Sequence, residues 1–264
     1  MASLENKVVW VTGASSGIGE GIVQVLATQN VKLILSSRRQ EALEKVKANC
    51  QNQELVKVLP IDLAQSSTLE AKTQEAIALF GKVDVVIHSG GISQRSFAAD
   101  TDLIVSRRLM EVNFFSTTII TKALLPSMLN NGFGHIVAIS SLVGKFGTPY
   151  RSSYAASKHA LHGYYDSLRA ELWKKNIKVS IITPGLIKTN VSLNALTEKG
   201  DNANTMDDGQ AKGMSAFACG QQIIKAIIKE KEEARIGGKE TIAILIKRFF
   251  PLLFSRIIRK ANVR

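Results

Sequence analysis

In the stretch RSSYAASKHAL, residues 151–161, a tyrosine and a lysine stand four apart, at Tyr154 and Lys158. The surrounding pattern reads as a helix, and a four-residue step puts both side chains on one face of it. A phenol with an ordinary pKa of about 10 moves protons poorly at neutral pH. A neighbouring ammonium favours the phenolate, which suits the tyrosine to general acid–base work. The same spacing is also common surface decoration, so its meaning depends on the rest of the chain.

A second feature is TGASSGIG, residues 12–19, placed after an apolar run and before a helical pattern. Gly13, Gly17 and Gly19, with Ser15, Ser16 and Ile18 between them, permit a tight turn and close approach to a ligand. The N–H groups at the helix start would meet the charge of a dinucleotide pyrophosphate. The spacing is Gly-x3-Gly-x-Gly rather than the GxGxxG of many dehydrogenases, so placement carries the argument. At the end of the next apolar run stands SSRR, Ser36 to Arg39. No carboxylate is present to hold ribose hydroxyls or repel a 2′-phosphate, and guanidiniums are available to pair with one. Ser37 and Arg38 are therefore assigned to NADP, and Arg39 to the solvated first turn of a helix.

These residues need elements to position them. KVVWVT (7–12), KLILSS (32–37), LVKVLPI (55–61), VDVVIH (83–88), HIVAIS (135–140) and KVSIIT (178–183) are apolar enough for burial on both faces. Amphipathic stretches lie near 17–29, 40–50, 66–80, 101–130 and 153–175. That alternation predicts an α/β, Rossmann-like, doubly wound parallel sheet of about seven strands with helices on both faces. No repeat or linker divides the chain, so 1–264 reads as one domain. Residues 185–213 form a long polar segment expected to be a substrate loop or lid. A helix at 214–230 and an edge strand in EARIGG (233–238) follow, and then a tail at 239–264.

The 264 residues are 45% hydrophobic and 21% charged, as expected of a globular protein, with a formal net charge of +12. Much of that charge lies in the tail, where Lys239, Lys247, Arg248, Arg256, Arg259, Lys260 and Arg264 face Glu240 alone. Large apolar residues interleave with these cations, which disfavours nucleic acid and favours an anionic surface or acidic ligand. In FFPLLFSRIIRK (249–260), Pro251 divides two helical pieces too short and charged to span a bilayer. Substrate flap, partner interface and peripheral membrane contact through 239–264 remain open. Cys50 and Cys219 form no CxxC and read as free thiols, and no metal site is expected. No signal segment precedes the first apolar run, so a cytoplasmic location is expected, peripheral at a membrane if the tail docks there.

Together these motifs resemble the short-chain dehydrogenase/reductase family, single-domain branch, over nearly the whole chain and in order. The resemblance adds Asp62 and Leu63 in PIDL, for the adenine, and Ser89 and Gly90 beside the cofactor ribose. It adds Asn113 in EVNFFS, Ser141 in HIVAISSLVG, and Pro184, Gly185, Ile187 and Thr189 in the PG-x3-T segment that holds the nicotinamide carboxamide. It implies that Ser141 bonds the substrate oxygen and that Tyr154 transfers the proton. Lys158 would bond the nicotinamide ribose and tune the tyrosine, while Asn113 holds a water. Ser140 is the alternative to Ser141, which is preferred because it precedes Tyr154 by the family's thirteen residues. Where the family usually shows Asn-Asn-Ala-Gly, this chain has His88, Ser89, Gly90 and Gly91. His88 reads as a core histidine bonded to backbone, with a proton relay as the sharper alternative. His135, His159 and His162 read as structural. Phe114 and Phe115 read as helix packing, and Tyr150 and Arg151 as pocket mouth or surface.

ALLPSMLNNGFGHIVAISS and PYRSSYAASKHAL most resemble the dehydrogenase/reductase member 7-like group. That implies an NADP(H)-dependent enzyme for a small-molecule carbonyl or alcohol, hydrophobic or lipid-like. A homodimer or homotetramer through the helices at 101–130 and 153–175 is also implied. A 3-oxoacyl carrier-protein reductase and a catalytically silent NADP-binding sensor or scaffold are the competing readings.

Overall fold

A computed structural model describes residues 3–261. Arg264, counted above with the basic tail, lies outside the described residues.

In chain order the elements are β1 (Val8–Thr12), α1 (Gly17–Leu26), β2 (Lys32–Ser36), α2 (Gln40–Ala48), β3 (Val56–Val58) and α3 (Ser66–Phe80). Then come β4 (Val85–His88), α4 (Leu103–Met110), α5 (Ser116–Asn130), β5 (Gly134–Ile139), α6 (Ser152–Leu172) and β6 (Ile177–Pro184). The last third holds β7 (Ile187–Lys188), α7 (Asp208–Ala211), β8 (Met214–Ser215), α8 (Ala216–Ile228), β9 (Glu233–Ile236), α9 (Ala243–Phe249) and α10 (Pro251–Ile258). The main sheet has seven strands in the order β3-β2-β1-β4-β5-β6-β9, and every pairing in it is parallel. The expected single-domain, doubly wound architecture is present.

Side chains of a strand alternate between faces, and the apolar runs serve both. Val9 and Val11 join Ile22, Leu26, Leu43 and Ile223 of α1, α2 and α8 in one core layer. Val8 and Trp10 join Leu69, Ile120, Leu161 and Tyr165 of α3, α5 and α6 in the other. Each fully buried side chain of this size stabilises the fold by about 1.5–3 kcal/mol, which fixes the register of the strands whose ends carry the site. The indole N–H of Trp10 reaches Ser36 Oγ at 2.8 Å, so its one polar group is not stranded.

Two expectations need correction. LVKVLPI supplies only the three-residue edge strand β3, where Lys57 is exposed; an edge strand needs no second apolar face. The stretch at 101–130 is not one helix, because Glu111–Phe115 form a π turn between α4 and α5. Such turns aim side chains that a regular helix would not, and Asn113 lies within this one.

Candidate active site

Strand order reverses between β1 and β4, and ligands of such sheets bind at the carboxyl ends beside that reversal. There the chain turns at Gly13, whose φ of +68° is left-handed, and a Cβ would lie 2.6 Å from the Cα of Gly90. The loops after β1 and β4 thus meet backbone to backbone, and Gly90 N donates to Thr12 Oγ1 at 3.3 Å. Leu63 closes over Gly90 so tightly that a Cβ there would meet its Cδ1 at 2.4 Å. Thr189 packs beside Gly17 in the same way, at 3.1 Å, so four sequence-distant segments converge.

The residues here suit a dinucleotide. Ser16 begins α1 in extended conformation, and no side chain caps the helix, so its first N–H groups face the crevice with the positive end of the dipole. Ser37 Oγ is buried yet has no hydrogen-bond partner among the described residues. Arg38 and Arg39 are exposed, and neither makes an ion pair among those residues. Asp62 accepts from Ala64 N at 3.0 Å. Ser89 N donates to Ile87 O at 3.0 Å, and Gly185 N to Ile236 O at 2.7 Å, which fixes the turn after Pro184. Ile187 is buried at the start of the next segment.

The chemical groups lie together. Tyr154 and Lys158 are on α6, and Ser141 follows β5. The Ser141 hydroxyl faces the Tyr154 phenol closely enough to pull its pKa downward, and it accepts from Val143 N at 3.4 Å. Ser140 points elsewhere: its Oγ donates to Lys158 O at 3.3 Å and pairs with His162 Nε2 at 3.0 Å. Of the two serines, Ser141 is the one that meets the tyrosine. Lys158 Nζ donates to Ile139 O at 2.8 Å and lies 5.9 Å from the centroid of the Tyr154 ring.

Electrostatics refine the simple expectation. Burial pushes the Tyr154 phenol above its usual value; the Ser141 hydroxyl and the charges of Arg151 and Arg95 pull the other way without overcoming it. Burial lowers Lys158 to about 8. In this arrangement the positive charge acting on the phenol comes from two arginines, and the lysine is itself poised to titrate.

Asn113 is fully engaged. Its Oδ1 accepts from Ile92 N, and its Nδ2 donates to Ile92 O and Ser157 Oγ, each at 2.9 Å. The side chain therefore fastens the loop after β4 to the tyrosine helix. His88 is a core histidine, but its Nε2 pairs with the Thr121 hydroxyl at 3.0 Å, not with backbone as expected. Thr121 in turn meets the Tyr165 hydroxyl at 3.0 Å, and burial drops His88 to about 3. The ring is thus held by a buried side chain of α5.

Sequence reasoning missed three features. Gln94, fully buried, accepts the N–H groups of Ser153 and Tyr154 at its Oε1 (2.8 and 3.2 Å) and so caps α6 from another loop. Asp207, within the predicted lid, is gripped by Arg95 through both carboxylate oxygens and by Arg151 Nη2 at 2.8 Å. Their side chains are only 8–13% exposed, so Arg151 is neither plain surface nor a free mouth residue. Backbone bonds from Leu196 N to Ser93 O (2.9 Å) and from Arg95 N to Leu196 O (2.8 Å) tie the same segment down. Finally, His162, Asp166 and Glu233 place ligand atoms within 4.8 Å of one another, although Arg169 and Lys145 already pair with the two carboxylates. Nothing local marks the first two, because each joins residues far apart in the chain; His162 and Asp166 do stand four apart on α6, and only Glu233 comes from elsewhere.

A parallel sheet of this order, with glycine-lined turns and Ser141, Tyr154 and Lys158 at its carboxyl edge, is the nucleotide-binding fold of an oxidoreductase class. Comparison supports that class: the family model for short chain dehydrogenase matches residues 7–200. A Drosophila melanogaster dehydrogenase/reductase SDR family protein 7-like is 40% identical, across 99% of this chain and 82% of the relative. The Mus musculus dehydrogenase/reductase SDR family member 7B is 41% identical, across 97% and 81%. The chain belongs to the short-chain dehydrogenase/reductase family. Two solved structures share the fold at low identity. One is a short chain dehydrogenase from Burkholderia cenocepacia in complex with NADP (TM-score 0.81, 21% identical, 98% of this chain and 100% of that one). The other is a short chain dehydrogenase/reductase from Burkholderia phymatum in complex with NAD (TM-score 0.82, 20% identical, 100% and 98%).

Proposed function

We propose that this protein is an NADP(H)-dependent carbonyl reductase or alcohol dehydrogenase for a hydrophobic substrate. The convergence of Ser141 and Tyr154 hydroxyls above buried Lys158 carries the reading. The nicotinamide, when bound, supplies or accepts the hydride. Charge then develops on the substrate oxygen, and preplaced donors stabilise it best. Ser141 Oγ donates to that oxygen, and Tyr154 Oη delivers the proton in reduction or removes it in oxidation. Lys158 Nζ would bond the nicotinamide ribose below the phenol, Arg151 and Arg95 supply positive charge to the phenol, and Asn113 holds the loop and helix in register.

Arg38 at the end of β2, with no carboxylate beside it, supports NADP over NAD, as does the unpartnered hydroxyl of Ser37. Tyr154 and Ile92 pack against Val105, Leu109 and Leu196, an apolar surround that suits a hydrophobic carbonyl. Exposed Leu103, Ile104 and Phe115 on and beside the α4–α5 helices support a homo-oligomer through that face.

Steady-state assays with a carbonyl and alcohol panel test the proposal. Tyr154→Phe is expected to lower kcat by at least about a hundredfold while NADPH affinity is kept, and Arg38→Ala to erase the preference for NADPH over NADH. Unchanged turnover in the first variant, or a preference retained in the second, would defeat the corresponding part.

A further inference from the structure

A helix on the surface of a globular protein keeps one apolar face for the core and turns a polar face to water. The two C-terminal helices do not. Toward the core, Ala243, Ile244 and Ile246 of α9 and Phe254 and Ile258 of α10 pack on Leu142 and Phe146. Toward solvent, Ile242, Leu245 and Phe249 repeat at three and four residues along α9 and the turn before it, and all are exposed. On α10, Leu253 and Ile257 form a second exposed pair, Leu252 is 80% exposed, and Phe250 is exposed at the junction. An apolar patch of this size marks an interaction surface.

The charges on this face select its occupant. Lys247, Arg248, Arg256, Arg259 and Lys260 are all exposed on the same two helices and the turn that follows. The lone acid of this region, Glu240, is turned inward and accepts the N–H groups of Leu186 (3.1 Å) and Gly238 (2.9 Å). A second copy of this chain would bring five cations against five, which self-association disfavours. Large apolar side chains flanked by lysine and arginine instead match an anionic lipid surface, with the rings in the acyl boundary and the cations at the headgroups.

The location gives docking a consequence. Leu142 directly follows Ser141, and Glu240 presses on Gly185 at the start of the lid, where a Cβ would meet its Oε1 at 2.2 Å. The helices that expose the patch are thus fastened to both the serine loop and the lid. We propose that α9 and α10 form a monotopic docking surface for anionic membranes, which seats the site at the lipid interface. The surface stands whether or not the substrate assignment does, because it is read by binding alone.

Flotation of the full chain with vesicles tests it. Co-flotation is expected with phosphatidylcholine vesicles containing phosphatidylserine, and much less with phosphatidylcholine alone. Phe249→Ser with Leu252→Ser and Leu253→Ser should weaken binding to the anionic vesicles by at least about tenfold, and neutralising Lys247, Arg248, Arg256 and Arg259 to Gln by a similar factor. All these positions are exposed, so unchanged thermal unfolding is expected, and two independent variant sets guard against loss of fold in one. The idea is overturned if the full chain fails to float with anionic vesicles, or if both variant sets float as well as the parent. It is also overturned if the serine variant halves the mass seen by light scattering, which would make the face a contact between copies.

Discussion

Gln94 Oε1 accepts the backbone N–H of Tyr154 at 3.2 Å, so the helix that carries the phenol begins on a side chain from another loop. The amide nitrogen of Gln94 is anchored in turn, donating to Thr101 Oγ1 at 2.9 Å and Ser96 Oγ at 3.2 Å. Arg151, at the N-cap position, offers no side-chain cap of its own. Gln94→Leu keeps the volume but strands two N–H groups, and a lost cap costs about 1–2 kcal/mol. Turnover should fall along with stability while NADPH affinity holds, as measured by urea unfolding and steady-state kinetics. Gln94→Glu keeps the acceptor oxygen and should restore part of the rate.

Asp207 is the one carboxylate between two guanidiniums, and removing its charge would leave Arg95 and Arg151 facing each other with little exposure. Breaking a buried pair costs about 3–5 kcal/mol, which here would be felt as release of the lid. Asp207→Asn is expected to raise KM more than it lowers kcat and to open residues 185–213 to limited proteolysis. A cleavage pattern identical to the parent's would contradict the latch.

Lys158 is held in a place that disfavours its charge: burial brings it from 10.5 to about 8. A group lowered in this way penalises the fold fully below pH 8, and the penalty fades as pH rises from 8 toward 10.5. Lys158→Met should therefore raise stability near pH 7 by about 1–2 kcal/mol, even after the lost bond to Ile139 O, and the gain should shrink above pH 8. The same variant should lose nearly all turnover. Denaturant unfolding at pH 7 and 9.5 checks the sign.

Three histidines are buried as neutral rings. Desolvation lowers His88 to about 3 and is the leading cause that brings His135 and His162 to about 4, from 6.5. The unfolded chain binds protons at these rings below pH 6.5 that the folded chain refuses. Stability should thus decline as pH falls from 6.5 toward 4, by up to about 1.4 kcal/mol per pH unit for each ring. His88→Asn should reduce that slope by one ring's share, measurable as urea midpoints at pH 7, 6 and 5. An unchanged slope in this variant would show that His88 does not contribute.

Local patterns in the sequence determined a great deal. Apolar runs alternating with amphipathic stretches demand a covered parallel sheet, because such strands have no polar face to show to water. Gly13, Tyr154 and Lys158 could be singled out because a left-handed turn and a one-face helix step each have a local residue signature, whereas Ser141 came only from the resemblance to the family. The edge character of β3 and the π turn around Asn113 were not legible, since neighbouring strands and tertiary packing decide them. The family's spacing favoured Ser141 over Ser140, and the structure adds the reason: the Ser140 hydroxyl turns to Lys158 O and His162. The structure alone shows Gln94 beneath the tyrosine helix and Asp207 between its arginines. Those contacts join residues about 60 and 110 positions apart, and residue type and spacing carry no record of which distant partner a buried polar group will find.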